Sequence, residues 1–420
     1  MLKILHFADA HIDIATYGKH DPVTGLPVRV MDFLSALDTI VDAAIAEKVD
    51  IVIFAGDAYK DRTPSPTFQR EWGRRIIRLP NAGIPILLLV GNHDLSPASG
   101  HAHTLQEFDT LQVPKVRVLN KPELLRPADL WGLSLQVLAL PWIFRSSLMA
   151  SMQLSPADGA NVNEELESRI TTILEEKMND LDPALPTILV AHGSVQGAVY
   201  GNERTVMLGK DLVLSGSLVK DPRLNYVALG HIHKYQDLNP GQQPPIVYAG
   251  SIERVDFGEA ADEKGYVLAE VQKGHASYRF VKLKGRSFYD RLVKLTKREG
   301  LMDEIFAALP AEDCIPDAII KLTLEYPREL EMFIDEAALR NKCASALEFH
   351  LIHRPQEEAR LRLSPDQSIA SLSPLELLNI YWQSKHIEPL QLDSLQSVAR
   401  SIIQSISSLE SPDHQEGVNE

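Results

Sequence analysis

The stretch IPILLLVGNHD, at Ile84–Asp94, decides the fold of this 420-residue chain. Its first half is a continuous apolar run, which is typical of a strand buried on both faces. Its second half brings together a glycine, an amide, an imidazole and a carboxylate. A turn explains the glycine and the asparagine, but it does not explain the histidine. The role of that histidine depends on whether other strands end in the same way.

Five further apolar runs within the first 250 residues have the same character. They lie at Lys3–Ala8, Asp50–Ala55, Thr187–Ala191, Tyr226–Leu229 and Pro245–Ala249. Between the runs, apolar residues at helical spacing predict helices at Val30–Val49, Phe68–Leu79 and Glu164–Met178. Strand, helix and strand in series predict an α/β fold, in which helices cover the faces of a sheet core.

Five of these six strands run directly into Asp, Asn or His, usually beside a glycine. The residues are Asp9, His11, Asp57, Asn92, His93, Asp94, His192, His231 and His233. Taken singly, each is typical of a turn, a helix cap or a solvated or core histidine. Together they can converge, because sites in open α/β sheets form outside the carboxyl ends of the strands.

The ligand types predict a metal centre with two ions. Seven potential oxygen and nitrogen ligands without a cysteine favour Mn²⁺, Fe²⁺ or Zn²⁺ over a structural zinc site, and one ion would not need so many. Two ions about 3.5–4 Å apart are typical of in-line displacement at phosphorus. The leaving alkoxide then still needs a proton. His93 is the natural donor, because its neighbour Asn92 can take the coordination role.

The set D-x-H, GD, GNHD, H-G and G-H-x-H resembles the signature of the calcineurin-like metallophosphoesterases. Further stretches are similar to the bacterial SbcD-type nuclease subunits. They are GDAYKDRTPSP at Gly56–Pro66, VQGAVYGNE at Val195–Glu203, LGHIHKYQ at Leu229–Gln236 and YAGSIERVDFGE at Tyr248–Glu259. The resemblance is strong over residues 1–270 and extends beyond them in organisation only. It implies a β-sandwich flanked by helices, a small α+β capping domain and C-terminal helices.

The resemblance also implies a role for each site residue. The ligand sets would be Asp9, His11, Asp57 and His233 for one ion, and the bridging Asp57 with Asn92, His192 and His231 for the other. The preferred ions would be Mn²⁺, His93 would be catalytic, and Asp94 would orient the His93 ring. Archaeal relatives have a second histidine where this chain has Lys60. That departure leaves metal binding intact, but it either changes how substrate is positioned or lets the lysine contact a phosphate.

The expected domains divide the chain at residues 275, 354 and 410. Residues 1–275 would form the nuclease domain, and 276–354 an α+β capping domain with strands at 277–283, 318–326 and 346–352 and helices at 286–297 and 335–343. Residues 355–410 would be a helical region that binds an ATPase partner, with helices at Ser373–Lys385 and Ser394–Ile406 that begin at serine caps. Residues 411–420 would be a disordered acidic tail.

The charge distribution is uneven. The net charge of −15 argues mildly against a protein that coats nucleic acid, yet residues 273–298, here called the basic segment, hold nine Lys or Arg and one Asp. This segment is either a solvated face or, as the resemblance implies, a cap that contacts phosphates beside the cleft. The candidate DNA contacts are Lys60, Arg62, Arg279, Lys282, Lys284 and Arg286.

The expected cellular location and partners rest on two grounds. One is the lack of a membrane span and of a secretory signal in the sequence, and the other is the resemblance. No stretch approaches the roughly 18 apolar residues of a membrane span, and the N-terminus lacks the features of a secretory signal. Cys314 and Cys343 predict reduced core thiols of a cytosolic protein. The resemblance implies a cytoplasmic, nucleoid-associated bacterial protein, an SbcC-like SMC-type ATPase partner, and a homodimer formed through helices near 68–79 and 105–111.

Three functions are considered. The first is a DNA phosphodiesterase of repair, recombination and replication, an exonuclease on double-stranded ends and an endonuclease on hairpin or single-stranded DNA. The alternative is a small-molecule phosphodiesterase or phosphatase on the same scaffold, although such a substrate needs neither a cap nor C-terminal helices. The third is a scaffold protein without catalysis, against which the intact strand-end residues argue.

Overall fold

The computed structural model describes residues 1–17, 19–95, 102–145, 148–149, 152, 162–201, 212–356, 372–384 and 389–409. The chain divides into two compact units. The first contains residues 1–291, 309–322 and 338–350, and the second contains 292–308, 323–337 and the residues after 350. Among the described residues, no helix is both long and apolar enough to cross a membrane.

The first sheet has six strands. They are β1 (Leu2–Phe7), β2 (Ile51–Phe54), β3 (Ile86–Leu89), β4 (Val116–Leu119), β13 (Gly265–Gln272) and β14 (His275–Lys282). In space the order is β14-β13-β1-β2-β3-β4. The strands from β1 to β4 are parallel, whereas β13 and β14 add to β1 in antiparallel register.

The second sheet also has six strands. They are β5 (Glu123–Leu125), β6 (Gln136–Leu140), β7 (Thr187–His192), β10 (Tyr226–Gly230), β11 (Gln236–Asp237) and β12 (Ile246–Tyr248). In space the order is β11-β12-β10-β7-β6-β5, with parallel inner strands and antiparallel edges. The short strands β8 (Ser194–Val195) and β9 (Val213–Leu214) form a separate parallel pair.

The two sheets pack face to face, and helices cover both outer faces. One apolar core lies between the sheets and joins Ile4 and Ile53 of the first to Ile188 of the second. Leu5 and Phe7, on the opposite face of β1, pack under the helices instead. Both faces of the strand are therefore buried, which explains why the apolar runs do not alternate with polar residues. The predicted α/β fold and its six predicted strands are confirmed.

The helices of the first unit fall on two sides. The side over the first sheet has α1 (Val28–Glu47), α2 (Pro66–Ile76), α3 (Arg78–Asn81) and α4 (Gln106–Thr110). The side over the second sheet has α5 (Val162–Asn179) and α6 (Gly216–Val219). Short 3-10 turns occupy Pro127–Leu130 and Phe257–Glu259. The three helices predicted between the strands are confirmed within a few residues.

The structure of the residues after 275 differs from the sequence prediction in two ways. Strand β14 pairs along its whole length with β13, so the predicted strand at 277–283 belongs to the first sheet and not to a separate capping domain. The predicted helix at 286–297 is wrong, because Phe288–Lys294 forms strand β15. This strand joins β16 (Ile319–Pro327) and β17 (Glu348–Gln356) in a three-stranded sheet. A short apolar run satisfies helix and strand periods equally well.

The remaining helices are short until the C-terminus. They are α7 (Leu301–Ala308), α8 (Glu336–Lys342), α9 (Pro374–Ser384) and α10 (Pro389–Leu409), with 3-10 turns at Glu312–Cys314 and Arg328–Phe333. The predicted cap at Ser373 is present, because its hydroxyl accepts the N–H of Glu376 while the Glu376 carboxylate accepts the Ser373 N–H. The predicted start at Ser394 is wrong, since α10 begins at Pro389.

Two smaller expectations remain. Both cysteines are free, but only Cys343 is buried, whereas Cys314 is exposed and is therefore not a core residue. The acidic tail predicted at residues 411–420 lies outside the described residues.

Candidate metal centre

The predicted ligands converge on one buried centre at the carboxyl ends of five strands. The first sheet supplies Asp9 and His11 after β1, Asp57 after β2 and Asn92 after β3, and the second sheet supplies His192 at the end of β7 and His231 and His233 after β10. All seven residues are at most 9% exposed. The centre therefore sits at the seam between the two sheets.

Two overlapping groups of side chains have the spacing of metal ligands. Ligand atoms of Asp9, His11 and His233 all lie within 4.8 Å of one another, and so do those of Asp9, Asp57 and His192. The sharing of Asp9 between the groups indicates neighbouring positions within one centre. This arrangement is the one expected of two ions bound side by side.

The rings of His11 and His233 fit a cation between them. The Nδ1–H of His11 donates to the Tyr59 carbonyl oxygen at 3.1 Å, and the Nδ1–H of His233 donates to the Glu259 carboxylate at 2.7 Å. These bonds leave an unprotonated Nε2 on each ring, and the two Nε2 atoms face each other at 3.0 Å. Two lone pairs at this distance repel unless a positive charge lies between them.

The surroundings of His192 also favour a positive charge. Its Nδ1–H donates to the Ala55 carbonyl oxygen at 2.7 Å, and its Nε2 faces the Asn92 Oδ1 at 3.0 Å and the Asp57 Oδ2 at 3.4 Å. Burial lowers the pKa of His192, but the carboxylates of Asp57 and Asp9 outweigh it and raise the pKa to about 9. Imidazole, amide and carboxylate donors together suit a divalent ion of borderline or hard character. The residues present therefore fit a metal centre.

The backbone of the centre is strained. Four predicted ligands lie in the left-handed region without being glycine: Asp9 (φ 49°), His11 (φ 39°), Asp57 (φ 65°) and His231 (φ 100°). Each such residue costs on the order of 1–3 kcal/mol and is typical of functional sites. The strain is held by the surrounding structure, for example by the Asp9 carboxylate, which accepts the N–H of His231 at 3.0 Å.

The glycines beside the ligands are required by close packing between loops. A Cβ on Gly91 would lie 2.2 Å from the Asp57 Oδ1, and a Cβ on Gly56 would lie 2.3 Å from the His192 Nδ1. Neither side chain can move away without leaving the centre. The glycine in GNHD therefore permits the close approach of the neighbouring strand end.

His93 lies beside the ligands with one ring nitrogen left for substrate. Its backbone N–H donates to the Asp57 Oδ1 at 2.8 Å, and its Nδ1–H donates to the Lys60 carbonyl oxygen at 2.8 Å. The ring meets the edge of the His11 ring with centroids 5.3 Å apart. Burial lowers the pKa of His93, against the opposing charge of Asp57. The Nε2 is the atom through which this ring can exchange a proton.

The structure gives Asp94 a different task from the one the resemblance implied. Its carboxylate accepts the backbone N–H groups of Asp57, Ala58 and Gly91 at 2.9–3.0 Å and the hydroxyl of Thr104 at 3.0 Å. Burial, together with the charge of Asp57, raises its pKa to about 6. Asp94 thus ties the loop after β2 to the loop after β3, while the Lys60 carbonyl orients the His93 ring.

An open cleft of about 660 Å³ adjoins His93. Lys60, Asp61 and Arg62 line one part of it, and Asp13 lines another. The Asp13 carboxylate accepts the Asp61 N–H at 2.8 Å, which fixes this loop. Two predicted phosphate contacts, Lys60 and Arg62, are therefore placed next to the predicted proton donor.

Three of the predicted phosphate contacts in the basic segment pair with acids that are distant in sequence. Arg286 forms a bidentate pair with Asp32, with both N···O distances at 2.6 Å. In addition, Arg279 pairs with Glu47 at 3.0 Å and Lys282 pairs with Glu263 at 2.8 Å. Lys284 is exposed and forms no ion pair with any residue that the structure describes. None of these four lines the cleft beside His93.

Sequence reasoning missed three residues of the centre. Glu259 accepts from the His233 ring, Lys264 pairs with Glu259 at 2.8 Å, and the Trp142 ring packs on His231 with centroids 4.9 Å apart. Glu259 ends the quoted stretch YAGSIERVDFGE, which was a signal. Lys264 stands in the charged run DEK, which is typical of a surface, and nothing in the sequence distinguishes Trp142.

A family model for calcineurin-like phosphoesterases matches residues 2–235. The chain is 27% identical over 290 residues to the uncharacterized metallophosphoesterase YhaO of Bacillus subtilis, which covers 66% of this chain and 60% of that protein. It is 24% identical over 376 residues to the DNA double-strand break repair protein Mre11 of Archaeoglobus fulgidus, covering 86% and 77%. It is 25% identical over 282 residues to the SbcD component of the nuclease SbcCD of Escherichia coli, covering 65% and 66%. The chain thus spans less than two thirds of the length of two of these relatives.

Proposed function

We propose that this chain, which belongs to the calcineurin-like phosphoesterase family, is a two-metal DNA phosphodiesterase and the nuclease subunit of an SbcCD-like repair complex. It would act as an exonuclease on double-stranded ends and as an endonuclease on hairpin or single-stranded DNA, in the cytoplasm near the nucleoid. The observation that carries the proposal is the complete set of buried ligands with His93 beside it, in a chain similar to the proteins named Mre11 and SbcD.

The ligands would hold two divalent ions, which we propose are Mn²⁺. Ions held there would lower the pKa of a bound water and would neutralise charge on the phosphoryl oxygens. The chain supplies the fixed geometry: the Asp57 carboxylate lies 3.9 Å from the Nε2 of His11 and 3.4 Å from the Nε2 of His192, and Asp94 holds the loops that carry Asp57 and Asn92. Because these side chains are positioned before substrate arrives, little reorganisation is needed during the reaction.

His93 would protonate the leaving oxygen. The Lys60 carbonyl accepts from Nδ1 and so directs Nε2 away from the loop that carries Lys60. A general acid at this position contributes about 10²–10⁴-fold to the rate. The adjacent cleft would receive the substrate strand, with Lys60 and Arg62 contacting phosphates without reading sequence.

The second unit would provide the contact with an ATPase of the SMC type. Helices α9 and α10 expose apolar side chains, with Tyr381 50%, Val398 56% and Ile402 52% accessible. Exposed apolar positions on a helix pair are typical of a surface that packs against a partner helix. We further propose a homodimer through α2 and α4, where Leu111 at the end of α4 is 73% exposed.

The test compares cleavage of linear duplex DNA and of bis-p-nitrophenyl phosphate by the purified chain with Mn²⁺. The His93→Ala variant should lose DNA cleavage by about 10²-fold or more while retaining its metal content. The matched control is His275→Ala, which removes an exposed histidine at the start of β14. This control should cleave at the wild-type rate.

The alternative is a small-molecule phosphodiesterase or phosphatase. The pairing of Arg279, Lys282 and Arg286 with acids favours it, since less free positive charge is left to bind a polyanion. Hydrolysis of the small diester with no cleavage of DNA, even when an SbcC-type ATPase is added, would contradict the nuclease and support this alternative.

A further inference from the structure

We infer that Glu259 and Lys264 are positioning residues, which set the affinity of the centre for metal through the ring of His233. Neither residue lies within the range that matches the family model, which ends at residue 235. The inference rests on the metal centre alone and does not depend on DNA being the substrate.

Glu259 contacts the metal-facing ring directly. Its Oε1 accepts the Nδ1–H of His233 at 2.7 Å, and its Oε2 accepts the N–H of Val255 at 2.9 Å. The residue is 4% exposed. The Glu259 carboxylate therefore faces three donors, which are the His233 ring, the Val255 N–H and the Lys264 ammonium.

Lys264 holds both ends of this contact. The residue is 1% exposed, and its Nζ lies 2.8 Å from the Glu259 Oε2. The same ammonium donates to the backbone carbonyl of His233 at 3.0 Å and to the Ser251 hydroxyl at 2.9 Å. Its three protons thus have three partners, as a buried ammonium requires. One side chain fixes the His233 backbone and also the carboxylate that orients the His233 ring.

The support of His233 differs from that of the other rings. The Nδ1–H groups of His11 and His192 donate to neutral backbone carbonyls, of Tyr59 and Ala55. A charged acceptor makes a stronger hydrogen bond and increases the basicity of the opposite nitrogen. The Nε2 of His233 is therefore the strongest imidazole donor among these three. An apolar pair would be easier to bury than this ion pair, which argues that the pair serves the ring.

The experiment is a titration with Mn²⁺ alone, in which the electron paramagnetic resonance signal of free Mn²⁺ gives the dissociation constants. Glu259→Gln should weaken Mn²⁺ binding by about 10–100-fold, the usual effect of removing a partner behind a metal ligand. In the Zn²⁺-loaded wild-type protein, the Nδ1 proton of His233 should resonate far downfield by NMR, and it should move upfield in the variant.

The matched control is Glu253→Gln. Glu253 is also buried in the same segment, but its carboxylate accepts the backbone N–H groups of Arg254 and Arg286 and not a histidine ring. This variant should bind Mn²⁺ as the wild type does, even if its thermal stability falls. Equal losses of affinity in both variants would overturn the inference, because the effect would then be one of general stability.

A second variant covers the case in which Glu259→Gln fails to fold because Lys264 is left buried without its partner. The double substitution Glu259→Gln with Lys264→Met removes both charges together, which proteins often tolerate. It should show the same loss of Mn²⁺ affinity. Wild-type affinity for Mn²⁺ in Glu259→Gln or in the double variant would overturn the inference. Because no DNA is present, this result is independent of the nuclease assay.

Discussion

The metal centre and the basic segment have opposite relations between sequence and space. The residues of the centre are scattered from Asp9 to His233, yet they meet within a few ångströms. The charges of the basic segment are contiguous in sequence, yet Arg279, Lys282 and Arg286 each pair with a different acid, namely Glu47, Glu263 and Asp32. The residues of the centre come together in space, whereas the paired charges of the basic segment contact separate acids.

The difference follows from what fixes each set. The carboxyl ends of buried parallel strands lie at the same edge of the sheet. Polar residues that follow these strands therefore meet at that edge. Surface lysines and arginines are long and have many possible partners. Those that are neighbours in sequence therefore need not form one positively charged surface. Strand-end position is therefore a better guide to function than local charge, and four predictions test that contrast.

The largest effect is expected for Asp57→Asn. Asparagine can still accept the N–H of His93, but it removes the buried carboxylate that lies 3.4 Å from the Nε2 of His192 and 3.9 Å from the Nε2 of His11. The rate of phosphodiester hydrolysis should fall by more than about 10³-fold, since the ions contribute several kcal/mol. Metal analysis and initial rates measure this. If the variant keeps both its metal and its activity, the conclusion that strand-end residues form the functional centre is wrong.

The next effect is expected on stability, for Asp94→Ala. The change leaves the N–H groups of Asp57, Ala58 and Gly91 buried without their acceptor. The free energy of unfolding should fall by about 3 kcal/mol or more, as measured by urea denaturation of the metal-free protein. Asp94→Asn, which keeps one oxygen, should lie between alanine and wild type. A loss below about 0.5 kcal/mol for alanine would show that the loops do not depend on this carboxylate.

A smaller effect is expected for Lys60→Ala and Arg62→Ala in the cleft. Each should raise the KM for DNA by about tenfold and reduce the salt dependence of binding by about one phosphate contact. Hydrolysis of bis-p-nitrophenyl phosphate should stay near the wild-type rate, because that diester has no neighbouring phosphate. An unchanged KM for DNA would remove this cleft as the path of the substrate strand.

The smallest effect is expected for Arg279→Ala and Lys282→Ala. Because these side chains are already paired with Glu47 and Glu263, the KM for DNA should change by less than about twofold at moderate salt. Arg286→Ala, the control, should instead lower the unfolding free energy by about 1–2 kcal/mol through loss of its bidentate pair. A tenfold rise in KM for Arg279→Ala would restore the basic segment as a DNA contact.

Much of the fold could be predicted because its signals are local. Each of the six predicted core strands is a buried apolar run in the sequence, and polar residues follow five of them directly, as at Asn92 and His192. The helix expected at 286–297 failed because Phe288–Lys294 is too short to separate the two periodicities. The pairing of β14 with β13 was not expected, because no local signal in the sequence shows it.

The rest of the centre depends on contacts that sequence does not display. Asp94 binds backbone N–H groups, which every residue except proline carries, so no side-chain motif points to them. Glu259 reaches His233 across 26 residues, and Arg286 reaches Asp32 across 254. Such partners are settled by packing of whole elements, and only a structure identifies them.

The seam between the sheets has a consequence for the assembly of the centre. Asp9, Asp57 and Asn92 belong to one sheet and His192, His231 and His233 to the other, so a chain with one sheet folded holds only part of the centre. His231 and His233 follow β10, which is the last of the ligand-bearing strands in the chain. The centre is therefore complete only after both sheets have formed.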